Sequence, residues 1–321
     1  MEHSNSSTQG EAHRIGVEGF EGYSLSAGAY GATVVPSLGM LCTSFTWNGG
    51  EHLHARATCQ AFAEQGTTTG IPFLFPWANR LGGLAYVFND TQVTLDPSAL
   101  PITVVDPGGA IHGLHQGALH WRDDGPPPDS ATSTATLRAH LDFTPDCPTF
   151  AAYPFPHRIE LECILSPEGL LLRTTVHALS DIPVPVAFGF HPYLCLPDSP
   201  REEWMLDVPV NLEYPLRDMI PSGTPMSCPA LSGPLSDRTF DSCFVMPSQR
   251  ITLSSHSMSL HLEADRAYRC LQVYAPKGSP FICLEPMTAP PAPFQSGLGS
   301  PAVVVEGSPF TAAFTLACSA L

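Results

Sequence analysis

His157-Arg-Ile-Glu-Leu-Glu-Cys-Ile-Leu-Ser166 is a run in which apolar and polar residues alternate, and Leu170-Leu-Leu-Arg-Thr-Thr-Val-His-Ala-Leu179 continues the pattern after Pro167-Glu-Gly169. A period of two residues with a short, glycine-containing connection predicts an antiparallel β-hairpin. The segment from Ala135 to Phe143 alternates in the same way and adds a third strand. This part of the chain therefore predicts an antiparallel sheet.

The remainder of the chain follows the same style of short strands. From Phe20 onward, short apolar or alternating runs are broken by Gly, Pro, Asn and Asp. No long segment carries an apolar stripe with the roughly 3.6-residue helical period. With 34 prolines and 26 glycines, the 321 residues are predicted to form an all-β fold, a large antiparallel β-sandwich with many loops and few short helices.

The chain is predicted to form a single domain over residues 1–321. Two proline-rich pieces, Asp123 to Ser130 and Pro221 to Pro234, are interpreted as surface loops and not as linkers, because strand-like patterning resumes on both sides of each. Residues Met1 to Ala12 are polar and rich in serine, which predicts a flexible end.

Composition excludes several classes of function. The 14 basic and 30 acidic residues give a net charge of -16, which would repel nucleic acids and anionic membranes. The single lysine, Lys277, lies in a polar Pro-Lys-Gly turn, where nothing would desolvate it for Schiff-base chemistry. The ten cysteines form no Cys-x-x-Cys pair and the N-terminus lacks an apolar signal core, so we expect reduced thiols and a cytoplasmic protein.

Two segments each carry one proton-transfer group inside an apolar, proline-bounded run: Phe188-Gly-Phe-His191-Pro-Tyr193 and Cys283-Leu-Glu285-Pro286. Burying such a group is costly without a partner. A His and a Glu are a minimal acid/base pair, because the environment can move their pKa values apart. Taken alone, however, His191 could be a core histidine and Glu285 the exposed end of an edge strand.

A third segment, Gly70-Ile-Pro-Phe-Leu-Phe-Pro-Trp-Ala-Asn79-Arg80, is apolar and aromatic and ends in an amide and a guanidinium. Arg80 could offer fixed donors to neutral hydroxyl groups, while Trp77 or Phe75 could stack on the apolar face of a sugar ring. The alternative is a core strand whose arginine extends to water.

A fourth segment, Ile111 to Trp121, carries three histidines within nine residues and suggests a zinc site. The segment is punctuated by glycine and follows Pro107-Gly-Gly109, so a loop is predicted in place of a regular metal-binding spacing. We favour a neutral hydrogen-bonding role for His112, with His115 and His120 as surface or packing residues, and predict no metal.

Two further polar residues lie in apolar surroundings. Asp241 stands in Asp237-Arg-Thr-Phe-Asp-Ser-Cys-Phe244 and could accept hydrogen bonds from a vicinal diol, although Asp is also a common turn residue. Gln272 is the one amide of the strand-like run Leu271-Gln-Val-Tyr274.

Together these segments resemble the aldose 1-epimerase (galactose mutarotase) family. The similar motifs occur in the same order from about Tyr23 to the C-terminus: Phe-Pro-Trp-Ala-Asn-Arg, Ile-His-Gly, Phe-Gly-Phe-His-Pro-Tyr, Phe-Asp-Ser-Cys-Phe, Leu-Gln-Val-Tyr and Leu-Glu-Pro-Met-Thr-Ala-Pro-Pro. The Asn-Arg, His-Pro-Tyr and Glu-Pro segments are the most specific. Met287, where a Gln is common, and Leu194, where Phe is usual, depart from the pattern.

The resemblance implies a β-supersandwich and a cofactor-free isomerase that interconverts the α and β anomers of a free aldohexose such as glucose or galactose. It implies that His191 is the general acid and Glu285 the general base. The implied sugar-binding residues are Asn79, Arg80, His112, Asp241 and Gln272. The partner would be a monosaccharide, without nucleic acid or membrane, and the protein would be a monomer or homodimer.

Other functions remain open at this stage. A carbohydrate-binding or regulatory protein could use the same sandwich without turnover, although a binder has no need for a matched acid and base. A phosphorylated or modified hexose would call for several cations, and Arg80 is the one arginine near the motifs. A glycoside hydrolase would need two carboxylates, for which Asp241 and Glu285 are the candidates.

Overall fold

The structure is a computed structural model that describes residues 9–127, 133–295 and 300–321. Its strands in the first half are β1 (Glu11–Val17), β2 (Phe20–Ala27), β3 (Tyr30–Val35), β4 (Leu41–Trp47), β5 (Gly50–Glu51), β6 (Phe73–Leu74), β7 (Ala85–Phe88), β8 (Thr91–Thr94), β9 (Ile102–Val105), β10 (Gly109–Leu114), β11 (Arg122–Gly125), β12 (Ala135–Phe143), β13 (His157–Ser166) and β14 (Gly169–Ala178). Those in the second half are β15 (Val184–Val186), β16 (Gly189–Phe190), β17 (Tyr193–Leu194), β18 (Met205–Val208), β19 (Leu212–Glu213), β20 (Leu216–Arg217), β21 (Ile220–Pro221), β22 (Met226–Ser227), β23 (Leu231–Pro234), β24 (Phe240–Val245), β25 (Ile251–Ser254), β26 (Met258–Ala264), β27 (Cys270–Ala275), β28 (Ile282–Met287), β29 (Ala302–Val304) and β30 (Phe310–Ala320).

Helix is scarce, as the missing 3.6-residue stripe predicts. The α-helix α1 (Cys59–Gln65) begins after Thr58, whose hydroxyl caps it by accepting from Ala61 N, and ends at the left-handed Gly66. The short 3-10 helices are Pro36–Leu38, Gln116–Ala118, Phe150–Ala152 and Arg201–Glu203. No helix in the described part of the chain is long and apolar enough to cross a membrane.

The predicted hairpin is confirmed and lies within a nine-stranded antiparallel sheet. β13 and β14 pair from His157 opposite Ala178 to Ser166 opposite Gly169. The third predicted strand, β12, pairs with the other edge of β13. The order of the sheet is β11-β12-β13-β14-β30-β26-β25-β18-β23. The all-β prediction is therefore confirmed.

An eight-stranded sheet packs against the first one. Its order is β22-β19-β24-β27-β28-β16-β6, and β17 also pairs with β28. The apolar side chains of both sheets share one hydrophobic core, in which the rings of Phe190 on β16 and Phe314 on β30 lie 5.1 Å apart. Since side chains of a strand alternate between faces, Leu271 and Val273 enter this core while Gln272 and Tyr274 point to the opposite face.

Both proline-rich segments contain strands, so their interpretation as loops is wrong in part. Arg122–Gly125 forms β11 at the edge of the nine-stranded sheet, and residues 128–130 of the same prediction lie outside the described residues. The segment from Pro221 to Pro234 contains β22 and β23. These strands lie at the edges of their sheets. A proline, which lacks an N–H group, is tolerated in an edge strand because one side of that strand has no partner to receive a hydrogen bond.

The beginning of the chain also differs from expectation. The flexible end was predicted to reach Ala12, but Glu11 and Ala12 already belong to β1, which pairs with β2 along its whole length. Residues 1–8 of that prediction lie outside the described part. The pattern was missed because most β1 side chains are exposed, so the strand lacks an apolar face.

The prediction of a loop from Ile111 to Trp121 is wrong in part, because the segment is a strand as far as Leu114 and continues through the 3-10 helix Gln116–Ala118. β10 pairs with β9, and the register shifts between Ile111 and Leu114. His112 and Gly113 both have positive φ, 62° and 74°, which makes the bulge at this point. A non-glycine residue in the left-handed region is strained, and here it turns the imidazole of His112 out of the ladder.

Gly113→Ala is expected to destabilise the protein, because a Cβ at Gly113 would lie 2.0 Å from the carbonyl oxygen of Phe75. Gly278 is a matched control with φ 71°, since an added Cβ there would meet no described atom within 4 Å. Left-handed strain alone costs about 1–3 kcal/mol. Urea unfolding should show a larger loss for Gly113→Ala than for Gly278→Ala, and equal losses would mean that the backbone moves freely at this bulge.

Candidate functional site

The strand register brings the predicted acid and base together. In the eight-stranded sheet, Gln272 on β27 lies opposite Glu285 on β28. On the other edge of β28, Met287 lies opposite Gly189 and Cys283 lies opposite Tyr193. His191 is midway between these two pairs and therefore falls opposite Glu285. One row of the sheet thus reads Gln272, Glu285, His191.

The two side chains are in direct contact. His191 Nε2 lies 3.3 Å from Glu285 Oε1, and the residues are 5% and 1% exposed. The imidazole is stacked on the ring of Tyr193, with centroids 4.7 Å apart and planes at 12°. The Tyr193 hydroxyl lies 2.6 Å from Thr68 Oγ1. These contacts fix the imidazole against the carboxyl group, so the pair needs no large rearrangement to exchange a proton.

Burial opposes the charged form of both partners. It raises the pKa of Glu285 well above its ordinary value, with Asp241 adding to the rise and Arg80 opposing it. It lowers the pKa of His191 well below its ordinary value, with His112 adding to the fall. The roles implied by the resemblance, His191 as general acid and Glu285 as general base, require a protonated imidazole and an ionised carboxyl group. In the free site, burial instead favours the pair in which the proton is on the carboxyl group.

The pair opens into a cavity of about 380 Å³, within the range of small-molecule sites. All five residues predicted to bind sugar line the same cavity as the acid and base: Asn79, Arg80, His112, Asp241 and Gln272. In the described part of the chain, four buried polar atoms of these walls lack a hydrogen-bond partner: Arg80 Nε, His191 Nδ1, Gln272 Oε1 and Glu285 Oε2. Such atoms are costly unless a ligand or water satisfies them.

Local contacts orient these polar groups. Asn79 Oδ1 accepts from the backbone N–H of Arg80 at 2.7 Å, which leaves its amide N–H groups for the cavity. Gln272 Nε2 donates to Asp241 Oδ1 at 2.6 Å. Burial raises the pKa of Asp241, while Arg80 and Gln272 oppose the rise. A carboxylate braced in this way can accept hydrogen bonds from hydroxyl groups of a ligand.

The three histidines of the Ile111 segment do not assemble a metal site. Only His112 lines the cavity with the acid and base, where burial and Arg80 lower its pKa to about 3 and keep the imidazole neutral. His115 bonds to Thr103 and to the Glu64 carbonyl, and His120 is exposed. Among the described residues, no group of three His, Cys, Asp or Glu side chains is arranged to hold a metal ion.

Phe75 and Trp77 do not form the predicted stacking surface. Both are buried in the core, at 3% and 0% exposure, and neither lines the cavity. Tyr193 and Tyr274 provide its aromatic wall instead. Phe75 and Trp77 thus belong to the core, as in the alternative interpretation, whereas Arg80, which that alternative extended to water, lines the cavity.

Sequence reasoning also missed a second cavity arginine. Arg56 lines the wall beside Tyr193, with its guanidinium carbon 5.9 Å from the centre of the ring. No motif surrounds it in His54-Ala-Arg-Ala-Thr58, and no sequence signal placed it near His191. Thr68 and Tyr274 were likewise found from the structure alone.

A family model for aldose 1-epimerase matches residues 21–314. The chain belongs to this family. Among known proteins it is similar to the uncharacterized protein YihR of Escherichia coli (strain K12), with 27% identity over 238 residues, or 70% of this chain and 71% of that protein. Membership of the aldose 1-epimerase family was predicted from the sequence motifs. Residues of these motifs supply most of the cavity wall.

Solved structures share the fold of this aldose 1-epimerase family member at low identity. A galactose mutarotase-like protein from Clostridium acetobutylicum has a TM-score of 0.86 at 16% identity, covering 98% of this chain and 99% of that chain. The galactose 1-epimerase from Lactobacillus acidophilus NCFM has a TM-score of 0.74 at 13% identity, covering 97% and 99%. The fold is therefore galactose mutarotase-like.

The two departures from the motifs of the family lie away from the cavity. Met287 lies on the same face of β28 as Glu285 and packs with Leu74 and Ala78, whereas Leu194 belongs to the main core. Neither lines the cavity. They therefore alter packing around the strands and leave the polar wall unchanged.

Proposed function

We propose that the protein is an aldose 1-epimerase that interconverts the α and β anomers of an aldohexose. One observation carries the proposal: His191 Nε2 and Glu285 Oε1 lie 3.3 Å apart, almost fully buried, on a cavity wall rich in hydrogen-bonding groups. A binding protein has no use for an acid and a base held in contact at such a desolvation cost.

Anomers exchange through ring opening. The C1 hydroxyl loses its proton, the C1–O5 bond breaks toward O5, and O5 gains a proton. The two oxygens involved, O1 and O5, are bonded to the same carbon. An acid and a base that nearly touch can therefore serve both oxygens from one side of the ring, with Glu285 at O1 and His191 at O5.

The proton balance of the pair follows from its contact. Burial favours the proton on Glu285 in the free site, and transfer to Nε2 of His191 gives the carboxylate and imidazolium that ring opening needs. Glu285 then takes the O1 proton while His191 protonates O5. After rotation about C1–C2, re-closure on the other carbonyl face returns both protons. Arg80, which lowers the pKa of Glu285 against the effect of burial, supports the carboxylate form.

The remaining polar residues would hold the hydroxyl groups. The Asp241 carboxylate would accept from them, Gln272 would offer its unpartnered Oε1, and the neutral His112 would complete the wall. The sugar hydroxyl groups that these residues would contact are all neutral. Sugar binding is therefore expected to depend on hydrogen-bond complementarity. The Tyr193 and Tyr274 rings would contact the apolar C–H face.

Polarimetry tests the proposal directly. Freshly dissolved α-D-glucose or α-D-galactose should reach the same final rotation faster when the protein is added to a weakly catalytic buffer. Activity should persist after exhaustive chelation, since the proposed steps use only side chains. A folded sample that accelerates neither of these sugars, nor any other aldohexose, would refute the proposed function.

A bell-shaped pH dependence is expected for kcat/KM. The reaction uses a pair that holds one proton, so activity falls when a second proton binds and when the last is lost. The lowered pKa of His191 places the acidic limb below the ordinary value of 6.5, and the raised pKa of Glu285 places the alkaline limb well above 4.5. Initial rates from pH 4 to pH 9 should therefore pass through a maximum, with the acidic limb below pH 6.5. A rate that rises steadily with pH would exclude a protonated partner.

A further inference from the structure

The imidazole of His191 lacks the hydrogen bond that usually orients a proton-transfer histidine. In such a histidine one ring nitrogen carries out the chemistry, while the other bonds to a carboxylate or a carbonyl that fixes the ring. Here Nε2 lies 3.3 Å from Glu285 Oε1, but the buried Nδ1 has no hydrogen-bond partner in the described part of the chain. The orientation of this ring therefore depends on packing.

Three aromatic rings enclose the imidazole. The Tyr193 ring is parallel to it, with centroids 4.7 Å apart and planes at 12°. The rings of His112 and Tyr274 are steeply inclined to it, with centroids at 5.3 and 6.1 Å and planes at 80° and 71°. A parallel neighbour resists rotation of the imidazole about its Cβ–Cγ bond, because any turn would break the stacked contact. Tyr193 is therefore the ring that sets the direction of Nε2.

Tyr193 is itself held by its neighbours. The Phe281 ring packs against it with centroids 4.9 Å apart and planes at 67°. The Tyr193 hydroxyl lies 2.6 Å from Thr68 Oγ1, and Arg56 Nη1 adds a longer contact of 3.5 Å. Thr68 and Tyr193 are 3% and 1% exposed, so water has little access to the bond between the two hydroxyl groups. This bond fixes the end of the ring that the backbone does not hold.

The backbone brings Thr68 to this position. Tyr193 N donates to the Gly70 carbonyl at 2.9 Å, and His191 N donates to the Pro72 carbonyl at 3.2 Å. The two segments therefore run antiparallel, and Thr68 stands two residues beyond Gly70 on the Tyr193 side. Thr68 lies outside the motifs of the family, so its contact with the stacked ring follows from the strand pairing.

We infer that Tyr193 and Thr68 are positioning residues of the proposed epimerase: the Tyr193 ring holds the imidazole of His191 in place, and the Thr68 hydroxyl holds Tyr193. This inference rests on the proposed function. In ring opening, Nε2 of His191 has to stay within reach of both Glu285 and O5, and a misplacement of about 1 Å can cost about a hundredfold in rate. The stacked ring also offers its π face to the imidazolium that forms during the reaction.

Tyr193→Phe and Thr68→Val each remove the bond between the two hydroxyl groups and nearly keep the shape of the side chain. For the aldohexose that is exchanged fastest, we expect each to lower kcat by about ten- to a hundredfold with little change in KM, because the aromatic surface beside the sugar remains. The double variant should be no slower than either single one, since both break the same bond. A raised KM at unchanged kcat would mean that the hydroxyl groups bind the sugar directly, and it would overturn the inference.

Tyr86→Phe is the matched control. It removes a buried tyrosine hydroxyl that donates to the Ala152 carbonyl at 2.8 Å, and Tyr86 does not line the cavity. The control should lower the melting temperature about as much as Tyr193→Phe does, but it should leave kcat unchanged. Equal losses of kcat in Tyr86→Phe and Tyr193→Phe would mean a general loosening of the fold and would overturn the positioning role.

NMR of the His191 ring gives a readout that needs no turnover. The ring current of Tyr193 should shift the Hδ2 and Hε1 signals of the stacked imidazole upfield, and their loss in His191→Asn assigns them. In Thr68→Val and Tyr193→Phe we expect these shifts to shrink or the signals to broaden, because the imidazole gains freedom. Unchanged signals in both variants would overturn the inference whatever the activity. The expected changes in a protein that exchanges no aldohexose would refute the proposed function and leave the packing role of Tyr193 and Thr68 supported.

Discussion

Glu285→Gln should reduce anomer exchange by roughly a hundred- to ten-thousand-fold while the fold stays intact. The amide keeps the size of the carboxyl group and its place opposite Gln272, but it cannot accept the O1 proton near neutral pH. The effect should appear in kcat, because the side chain is needed for proton transfer more than for holding the sugar. Exposed Glu168 gives a matched control, and Glu168→Gln should leave the rate unchanged.

The same substitution should stabilise the protein at neutral and alkaline pH. Burial raises the pKa of Glu285, so the folded state binds its proton more tightly than the unfolded chain does. Such a group contributes stability at low pH, and this is lost as pH rises from the ordinary value of 4.5 toward the raised one. The melting temperature of Glu285→Gln should thus exceed that of the parent by more at pH 8 than at pH 5. A near-normal rate, or a variant that unfolds, would contradict the assignment.

His191→Asn should cause a loss of activity of similar size, again on the order of a hundred- to ten-thousand-fold. Asparagine can form hydrogen bonds but cannot deliver a proton to O5. In contrast to the glutamate variant, it should lower stability by about 0.5–1.5 kcal/mol, because the imidazole stack on Tyr193 is lost. Exposed His120 supplies the control His120→Asn.

Two additional measurements separate a lost acid from a damaged site. Added imidazole should restore part of the His191→Asn rate, since the vacated space can admit a small proton donor. The double variant Glu285→Gln/His191→Asn should be little slower than either single one, because the residues act as a unit. If the rate reduction of the double variant equalled the product of the two single reductions, the residues would contribute independently and would not share a proton.

Much of the sheet could be predicted because alternation is a local property. β12, β13 and β14 each show a period of two over most of their length, and they pair as expected. β1 escaped prediction because its side chains are mostly exposed, and β10 because His112 and Gly113 interrupt the alternation with two left-handed residues. In both cases the strand forms because it pairs with a neighbouring strand, and a short stretch of sequence does not reveal that pairing.

The candidate site divides in the same way. His191, Glu285 and the five predicted sugar-binding residues line one cavity, and they were found through motifs resembling the family. Arg56 was missed because its segment joins the site through tertiary contacts, among them those with Tyr193 and Thr69. The protonation of the pair could not be predicted either, because it depends on how completely both groups leave water.

The acid and base stand opposite each other across paired strands, whereas Arg56 lies on a connecting segment beside them. The proposed proton-transfer pair and this part of the cavity wall therefore belong to parts of the chain that can change independently. Substitutions in the connecting segment would change the shape and charge of this wall without disturbing the strand register that aligns His191 with Glu285.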